Sequence, residues 1–137
     1  MKDMLQETEN LKALAIELGM LLTDHKGINV IVMDMRQLNF WTDFFVIATV
    51  TSSTHLSGLE RHIKEYVREK GLDIQRRSRK LQSKVSSDLD NEWSIMDLGN
   101  IVIHLMSGKS RSFFELERLW NTAALIYEDP SYSSKSS

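Results

Sequence analysis

The 137-residue sequence contains no cysteine and a single proline. Without cysteine, disulfide bonds and thiolate metal sites are excluded. No apolar run approaches the roughly 18 residues that a membrane-spanning helix requires, and the acidic, polar amino-terminal segment is unlike a secretory signal peptide. The net charge of −2 gives no overall preference for nucleic acid or for an anionic membrane. These absences favour a cytoplasmic protein with one globular domain.

The sequence also lacks the common motifs of catalytic and metal sites. It contains no glycine-rich phosphate loop, no zinc-protease motif and no nucleophile elbow. The four histidines lack the spacing of metal ligands. His55 and His62 lie seven residues apart and could share a helix face, but two histidines without a third ligand make a poor zinc site. A solvated helix face is the favoured interpretation of this pair, and we expect neither a cofactor nor a metal.

Hydrophobic periodicity predicts an α/β fold with the order α-β-β-α-β-β-β-α. A helix is predicted at residues 5–25 and a second helix after the capping residues 51–54. Apolar strands are predicted at 28–34 and 43–50. These strands are apolar on both faces, so we expect a mixed sheet of about five strands that is covered by helices.

Two segments have few apolar residues and are predicted to be irregular. Residues 72–74 are interpreted as a short strand, and the remainder of 72–92 as a long polar loop with positive charges at Arg76, Arg77, Arg79, Lys80 and Lys84. Such a basic run is typical of a solvated loop, and contact with RNA phosphates is the alternative. The domain is predicted to span 1–125, followed by a serine-rich, disordered tail at 126–137.

The most informative stretch begins at Trp93. Gly99-Asn100 separates two apolar runs, which is a strong signal for a two-residue hairpin turn. Counting back from this turn places Met96 opposite Ile103 and Ser94 opposite Leu105. Because side chains alternate, the predicted core face carries Leu98, Met96, Ile101, Ile103 and Leu105. The opposite face carries Trp93, Ile95, Asp97, Val102, His104 and Met106.

This opposite face is the candidate functional surface. Trp93 is either a core residue or an interface anchor, because tryptophan is enriched in binding hot spots. Asp97 and His104 lie diagonally across the hairpin and are expected within hydrogen-bonding reach. No nucleophile accompanies them, so an orienting hydrogen bond is favoured over a catalytic dyad.

A final helix is predicted to begin at Ser112, because Ser112 and Glu115 have the spacing of a capping box. Glu117 falls off the helix's apolar stripe and is expected to be exposed. The stripe itself is expected to pack on the sheet and comprises Phe113, Leu116, Leu119, Trp120 and Ala123.

The hairpin and the segment after it resemble a known family. The stretches WSIMDLGNIVIHLM at 93–106 and FELERLW at 114–120 are similar to the ribosomal silencing factor family, also called Iojap. A further match covers TDFFVIA at 42–48 and TSSTH at 51–55, and the resemblance extends over about residues 8–121. The family usually has S-G-T-S-x-R-H after the second strand. This chain has valine (Val50) and threonine (Thr54) at the glycine and arginine positions.

The resemblance implies a nucleotidyltransferase-like fold that lacks the catalytic carboxylates and is not an enzyme. It implies a translational repressor that binds the large ribosomal subunit through ribosomal protein fourteen and sterically blocks association with the small subunit. The residues expected to contact that protein are Trp93, Asp97, His104, Met106 and Glu117. The residues suggested to contact nearby rRNA are Arg76, Arg77, Arg79 and Lys80. The alternatives are an assembly factor for the large subunit and a nucleotidyltransferase enzyme, and the free protein is a candidate homodimer.

Overall fold

The computed structural model describes residues 4–38, 42–80, 93–115, 118 and 123–130. In these residues the helices are α1 (Met4–Asp24), α2 (Ser53–Glu69) and α3 (Gly108–Phe114), with a short 3₁₀ helix at Arg36–Leu38. The strands are β1 (Ile28–Asp34), β2 (Phe44–Val50), β3 (Arg76–Lys80), β4 (Trp93–Asp97), β5 (Ile101–Ser107) and β6 (Ala124–Glu128). No helix in this part of the chain is long and apolar enough to span a membrane.

The strands form one mixed sheet in the order β3-β4-β5-β2-β1-β6. The central strands β2 and β5 run parallel, and every other neighbouring pair is antiparallel. Both central strands are buried along their full length, as expected for parallel strands covered on both faces. The predicted α/β fold with a mixed sheet is confirmed.

Helices α1 and α2 pack on what we call the first face of the sheet. Leu18 of α1 and Ile63 of α2 are fully buried against Val46 and Ile103. The close approach of α1 requires a glycine at position 19, because a Cβ atom there would lie 2.7 Å from a methyl carbon of Val32. This face therefore forms a mainly aliphatic core that holds the helices against the strands.

The second face of the sheet is also a hydrophobic core. Its buried members are Ile31, Met33, Met35, Phe45, Ile47, Trp93, Val102 and Met106. Adjacent residues on β2 show the division, since Phe44 belongs to the first face and Phe45 to the second. Side chains alternate along a strand, so every central strand contributes to both cores.

The predicted polar loop at 72–92 is wrong for residues 76–80, which form the edge strand β3. The register pairs Arg76 with Asp97 and Lys80 with Trp93. The predicted strand at 72–74 is also wrong, because Leu72 and Ile74 instead pack against the first-face core outside any strand. An edge strand is held by backbone hydrogen bonds to its one neighbour, so a polar sequence can adopt it. Residues 81–92 lie outside the described part of the chain.

The predicted tail at 126–137 is wrong in its first residues. Residues 126–128 belong to β6, which pairs with β1 in antiparallel register. Tyr127 fixes this strand through a 2.9 Å hydrogen bond between its hydroxyl and that of Thr23 on α1. The domain therefore continues beyond residue 125, and residues 131–137 lie outside the described part.

The predicted helix start at Ser112 is wrong, because α3 already begins at Gly108 and ends at Phe114. Ser107 caps α3, because its hydroxyl accepts a hydrogen bond from the Ser110 amide at 3.2 Å. Glu115, assigned to the predicted capping box, ends the helix in a left-handed conformation with φ 48°. Phe113 is 78% exposed rather than packed on the sheet. The predicted stripe residues Leu116, Leu119 and Trp120 lie outside the described part.

Candidate functional site

The β4–β5 hairpin has the predicted register. Met96 pairs with Ile103 and Ser94 with Leu105. Gly99 supplies the positive φ of 100° that the turn requires. The division of the faces is also confirmed, since Met96 and Ile103 lie in the first-face core whereas Trp93 and Met106 lie in the second.

The predicted exposure of the second hairpin face is wrong. The exposed fractions are 9% for Trp93, 7% for Asp97, 6% for His104 and 0% for Met106. The reason is tertiary packing, because Trp93 and Met106 lie in the second-face core together with apolar residues of β1 and β2. In this conformation the four side chains offer almost no surface to a partner.

Trp93 and His104 form a buried polar pair within the second-face core. The indole Nε1–H donates to His104 Nδ1 at 3.1 Å, and the imidazole and the Phe45 ring form an edge-to-face contact at a centroid distance of 4.6 Å. Burial lowers the pKa of His104 to about 3, so the imidazole is neutral at pH 7. Since Nδ1 accepts, the proton of the neutral ring lies on Nε2. That atom has no hydrogen-bond partner in the described residues.

Asp97 stabilises the hairpin turn. Its Oδ1 accepts a hydrogen bond from the Gly99 amide at 2.7 Å, and its backbone carbonyl accepts from the Gln75 amide. The predicted hydrogen bond between Asp97 and His104 is wrong, because His104 Nδ1 is engaged by Trp93 and its Nε2 is unpartnered. These two residues therefore do not form an acid–base dyad in this structure.

The remaining predicted contact residues lie elsewhere in the chain. Arg76, Arg77, Arg79 and Lys80 are all in the edge strand β3. Their contact with rRNA stays a prediction. Glu117 lies outside the described residues, and its contact with a ribosomal protein also stays a prediction.

The structure identifies α3 as a feature that the sequence interpretation placed incorrectly. The helix follows β5 directly and lies at the carboxyl ends of the parallel strands β2 and β5. Arg111 is 7% exposed, and its Nη1 donates to the Asn29 carbonyl at 2.6 Å and to the Thr49 hydroxyl at 3.0 Å. These bonds hold a short helix whose outer side presents Phe113. The signal for this arrangement was Ser107, a capping residue at the end of an apolar strand.

The two histidines predicted to share a solvated helix face are both partly exposed on α2. His55 and His62 line a pocket of about 290 Å³ together with Asp24, His25, Lys26, Thr54, Gly58 and Leu59. The rings of His25 and His62 stack at a centroid distance of 3.6 Å. Within the described residues no group of side chains is arranged to hold a metal ion.

The two positions that depart from the family pattern have different environments. Val50 is 4% exposed and fills part of the first-face core. Thr54 is exposed in the first turn of α2. The valine therefore has a packing role, and the threonine faces the surface near the histidine pocket.

Comparison with known proteins gives a consistent result. A family model described as ribosomal silencing factor during starvation matches residues 8–137. Ribosomal silencing factor RsfS of Treponema pallidum is 35% identical over 100 residues, which cover 72% of this chain and 82% of the relative. A mouse protein named mitochondrial assembly of ribosomal large subunit protein 1 is 30% identical over 100 residues, covering 73% of this chain and 42% of the relative.

Two crystal structures have the same fold. A Bacillus halodurans protein is 25% identical with a TM-score of 0.59, and the match covers 82% of this chain and 94% of that chain. A Chromobacterium violaceum protein is 23% identical with a TM-score of 0.63, and the match covers 92% of this chain and 98% of that chain.

Proposed function

Since this chain belongs to the ribosomal silencing factor family, we propose that it binds the large ribosomal subunit through ribosomal protein fourteen and blocks small-subunit association. The family match over residues 8–137 is the observation that carries this proposal. Repression by steric exclusion requires a stable body with a docking surface and involves no covalent chemistry. We infer accordingly that the protein is cytoplasmic and is not an enzyme.

The two-sided core of the sheet supports this mechanism. Both faces of the central strands are buried, so the sheet is a compact body that resists deformation. A blocking protein must keep its shape when the small subunit competes for the same surface. The fold meets that requirement.

We place the principal docking contact on the outer side of α3. Phe113 is a large aromatic residue with 78% of its surface exposed, and its neighbours Lys109 and Ser112 are polar and exposed. An aromatic anchor within a polar rim is the usual anatomy of a protein interface. Lys109 adds a positive charge to this rim.

The contact residues predicted from the sequence have a supporting role in this proposal. Trp93, His104 and Met106 stabilise the second face of the sheet from within, and Asp97 fixes the hairpin turn. Glu117 stays a candidate for direct contact with the ribosomal protein. Arg76, Arg77, Arg79 and Lys80 stay candidates for rRNA contact, and reversing the three arginines to glutamate should reduce the salt dependence of binding.

Sedimentation with purified ribosomal subunits tests the proposed function. The protein should comigrate with the large subunit, and its addition should reduce the fraction of whole ribosomes. It should not comigrate with the small subunit alone. Failure to bind the large subunit, or binding without any loss of whole ribosomes, would contradict the proposal.

A pair of substitutions tests the docking surface. Phe113→Ser should weaken large-subunit binding by about tenfold or more if Phe113 is a hot spot. Met20→Ser is the matched control, because Met20 is 49% exposed on α1, which packs on the first face. The control should bind like the unmodified protein. Equal affinities for all three proteins would place the docking contact elsewhere.

An assembly factor for the large subunit is the second candidate function. It is favoured by the name of the mouse relative, which refers to assembly of the ribosomal large subunit. The same docking surface would serve both functions. Depletion in cells distinguishes them, since an assembly factor predicts accumulation of large-subunit precursors, whereas a repressor predicts normal subunits and excess translation during nutrient shortage.

A nucleotidyltransferase activity has less support. Such an enzyme requires clustered carboxylates that hold Mg²⁺. The described residues contain no group arranged to bind a metal. Incubation with nucleotides and Mg²⁺ should give no turnover, and sustained turnover would overturn the steric mechanism.

A further inference from the structure

We propose that Arg111 is a positioning residue that holds α3, and with it Phe113, in the orientation required for docking. The inference rests on the proposed function, because it assigns Phe113 a role in binding the large subunit. Arg111 itself is 7% exposed and acts through the helix rather than by contact with a partner.

The first step of the argument concerns the length of α3. The helix contains only seven residues, Gly108–Phe114. Isolated helices of this length are unstable in water, because the initial turn orders several residues for few hydrogen bonds. The orientation of α3 must therefore come from contacts outside the helix.

The second step concerns the irregular start of β1. The β1–β2 register shifts between Ile28 and Ile31, and Asn29 has a positive φ of 51°. Such a bulge disrupts the regular pattern of hydrogen bonds between strands. The Asn29 carbonyl instead accepts a 2.6 Å hydrogen bond from Arg111 Nη1, and the Ile28 carbonyl lies 3.5 Å from the same nitrogen.

The third step concerns the chemistry of arginine. Burying a guanidinium is costly, and part of that cost is offset here because Nη1 donates to the Thr49 hydroxyl at 3.0 Å as well as to the Asn29 carbonyl. One side chain thus connects α3 to β1 and to the end of β2. A lysine would present a compact ammonium without the rigid planar arrangement of donors. The Ser107 cap fixes only the beginning of the helix, whereas Arg111 fixes its middle.

Three substitutions test this role. Arg111→Met removes the donors and keeps an unbranched apolar side chain, and Arg111→Lys keeps the charge. Arg118→Met is the matched control, because Arg118 is exposed and forms a 3.2 Å ion pair with Glu115 just after α3. Each variant is measured for amide hydrogen exchange in residues 108–114, for global unfolding and for affinity to the large subunit. Each variant is prepared in two backgrounds, one with Phe113 intact and one that also carries Phe113→Ser.

With Phe113 present, Arg111→Met should weaken binding by about tenfold, the range of coupling seen for contacting residues. In the Phe113→Ser background the same change should weaken binding by about twofold or less, because the anchor is already lost. Amide exchange in α3 should accelerate by about tenfold or more, which reports local opening. Arg111→Lys should lie between Arg111→Met and the unmodified protein, and Arg118→Met should resemble the latter.

Several results would overturn the proposal. Unchanged α3 exchange in Arg111→Met would show that Arg111 does not hold the helix. Equal losses of affinity in both backgrounds would show that its role is general stability. If Phe113→Ser alone binds normally, the docking surface is wrong, while the exchange measurement still decides whether Arg111 positions α3. Should Arg111→Met fail to fold, Arg111→Lys carries the same comparisons, and its resemblance to the unmodified protein would reject the proposal.

Discussion

Both faces of the sheet form buried cores, but the two cores differ in chemistry. The first face packs against α1 and α2 with mainly aliphatic side chains, together with Phe44, Met96 and the Ser94–Glu60 hydrogen bond, whereas the second contains three methionines and the Trp93–His104 pair. The first face therefore resembles an ordinary helix–sheet core. The second combines adaptable packing with a polar group whose charge depends on pH. The comparison shows that burial alone does not reveal how each face responds to mutation or acid.

The largest predicted effect separates two adjacent phenylalanines. Phe44→Ala should reduce the free energy of unfolding by about 3–5 kcal/mol, because it leaves a cavity in the rigid first-face core. Phe45→Ala should cost roughly 1 kcal/mol less, since neighbouring methionines can move into the space. Urea denaturation of both variants measures the difference. An equal or larger loss for Phe45→Ala would show that the second face is as rigid as the first.

The next effect is the acid sensitivity of the second face. Burial lowers the pKa of His104 to about 3, whereas the unfolded value is about 6.5. The unfolded state therefore binds a proton that the folded state excludes between these pH values. The contribution of neutral His104 to the free energy of unfolding is complete above the pKa that this histidine has in the unfolded state. It decreases as pH falls, by up to about 1.4 kcal/mol per pH unit, until the pKa of His104 in the folded state is reached.

His104→Gln is the matched variant for this prediction, because the glutamine oxygen can accept the Trp93 indole proton without titrating. The pKa of His62 is also lowered by desolvation, and this contribution is common to both proteins. Between pH 6.5 and pH 5 the unmodified protein should lose about 2 kcal/mol more than the variant. Parallel stability curves across this range would show that His104 is accessible to protons in the folded state.

A smaller effect concerns the polar bond on the first face. The Ser94 hydroxyl donates to Glu60 Oε2 at 2.5 Å, and Glu60 is 3% exposed. Ser94→Ala should cost about 1–3 kcal/mol, because a buried carboxylate loses a donor. Thermal unfolding at pH 7 measures the loss. An unchanged melting temperature would mean that Glu60 is satisfied without Ser94.

The smallest effect lies outside both faces. Arg118 and Glu115 form an exposed ion pair in which the arginine side chain is 77% accessible. Arg118→Ala should change the free energy of unfolding by less than about 0.5 kcal/mol, because water and salt screen such pairs. A loss comparable to that of Ser94→Ala would assign this segment a structural role.

The local pattern of the β4–β5 hairpin was sufficient to predict its register. Gly99-Asn100 identified the turn, and alternation then placed Met96 and Trp93 on opposite faces. What the pattern could not predict was the parallel pairing of β5 with β2, which joins residues far apart in sequence. The pattern also could not predict that Trp93 and Met106 pack with residues of β1 and β2, which buries the second hairpin face in a core.

The edges of the fold were harder to predict for another reason. Arg76–Lys80 has no hydrophobic pattern because its strand is held by backbone bonds to β4. A helix start was predicted at Ser112 rather than just after Ser107, because both serines are able to cap a helix. The role of Arg111 depends on a bulge in β1, about 80 residues away, and no local signal in the sequence indicates it.

Competition between the protein and the small subunit tests the central claim of steric exclusion most directly. Subunit joining is followed by light scattering at a fixed concentration of large subunits and protein, with increasing concentrations of small subunits. We predict inhibition that excess small subunits overcome, with a weaker inhibitor in Phe113→Ser. Inhibition that no concentration of small subunits relieves, or normal joining when the large subunit is saturated with protein, would contradict the account.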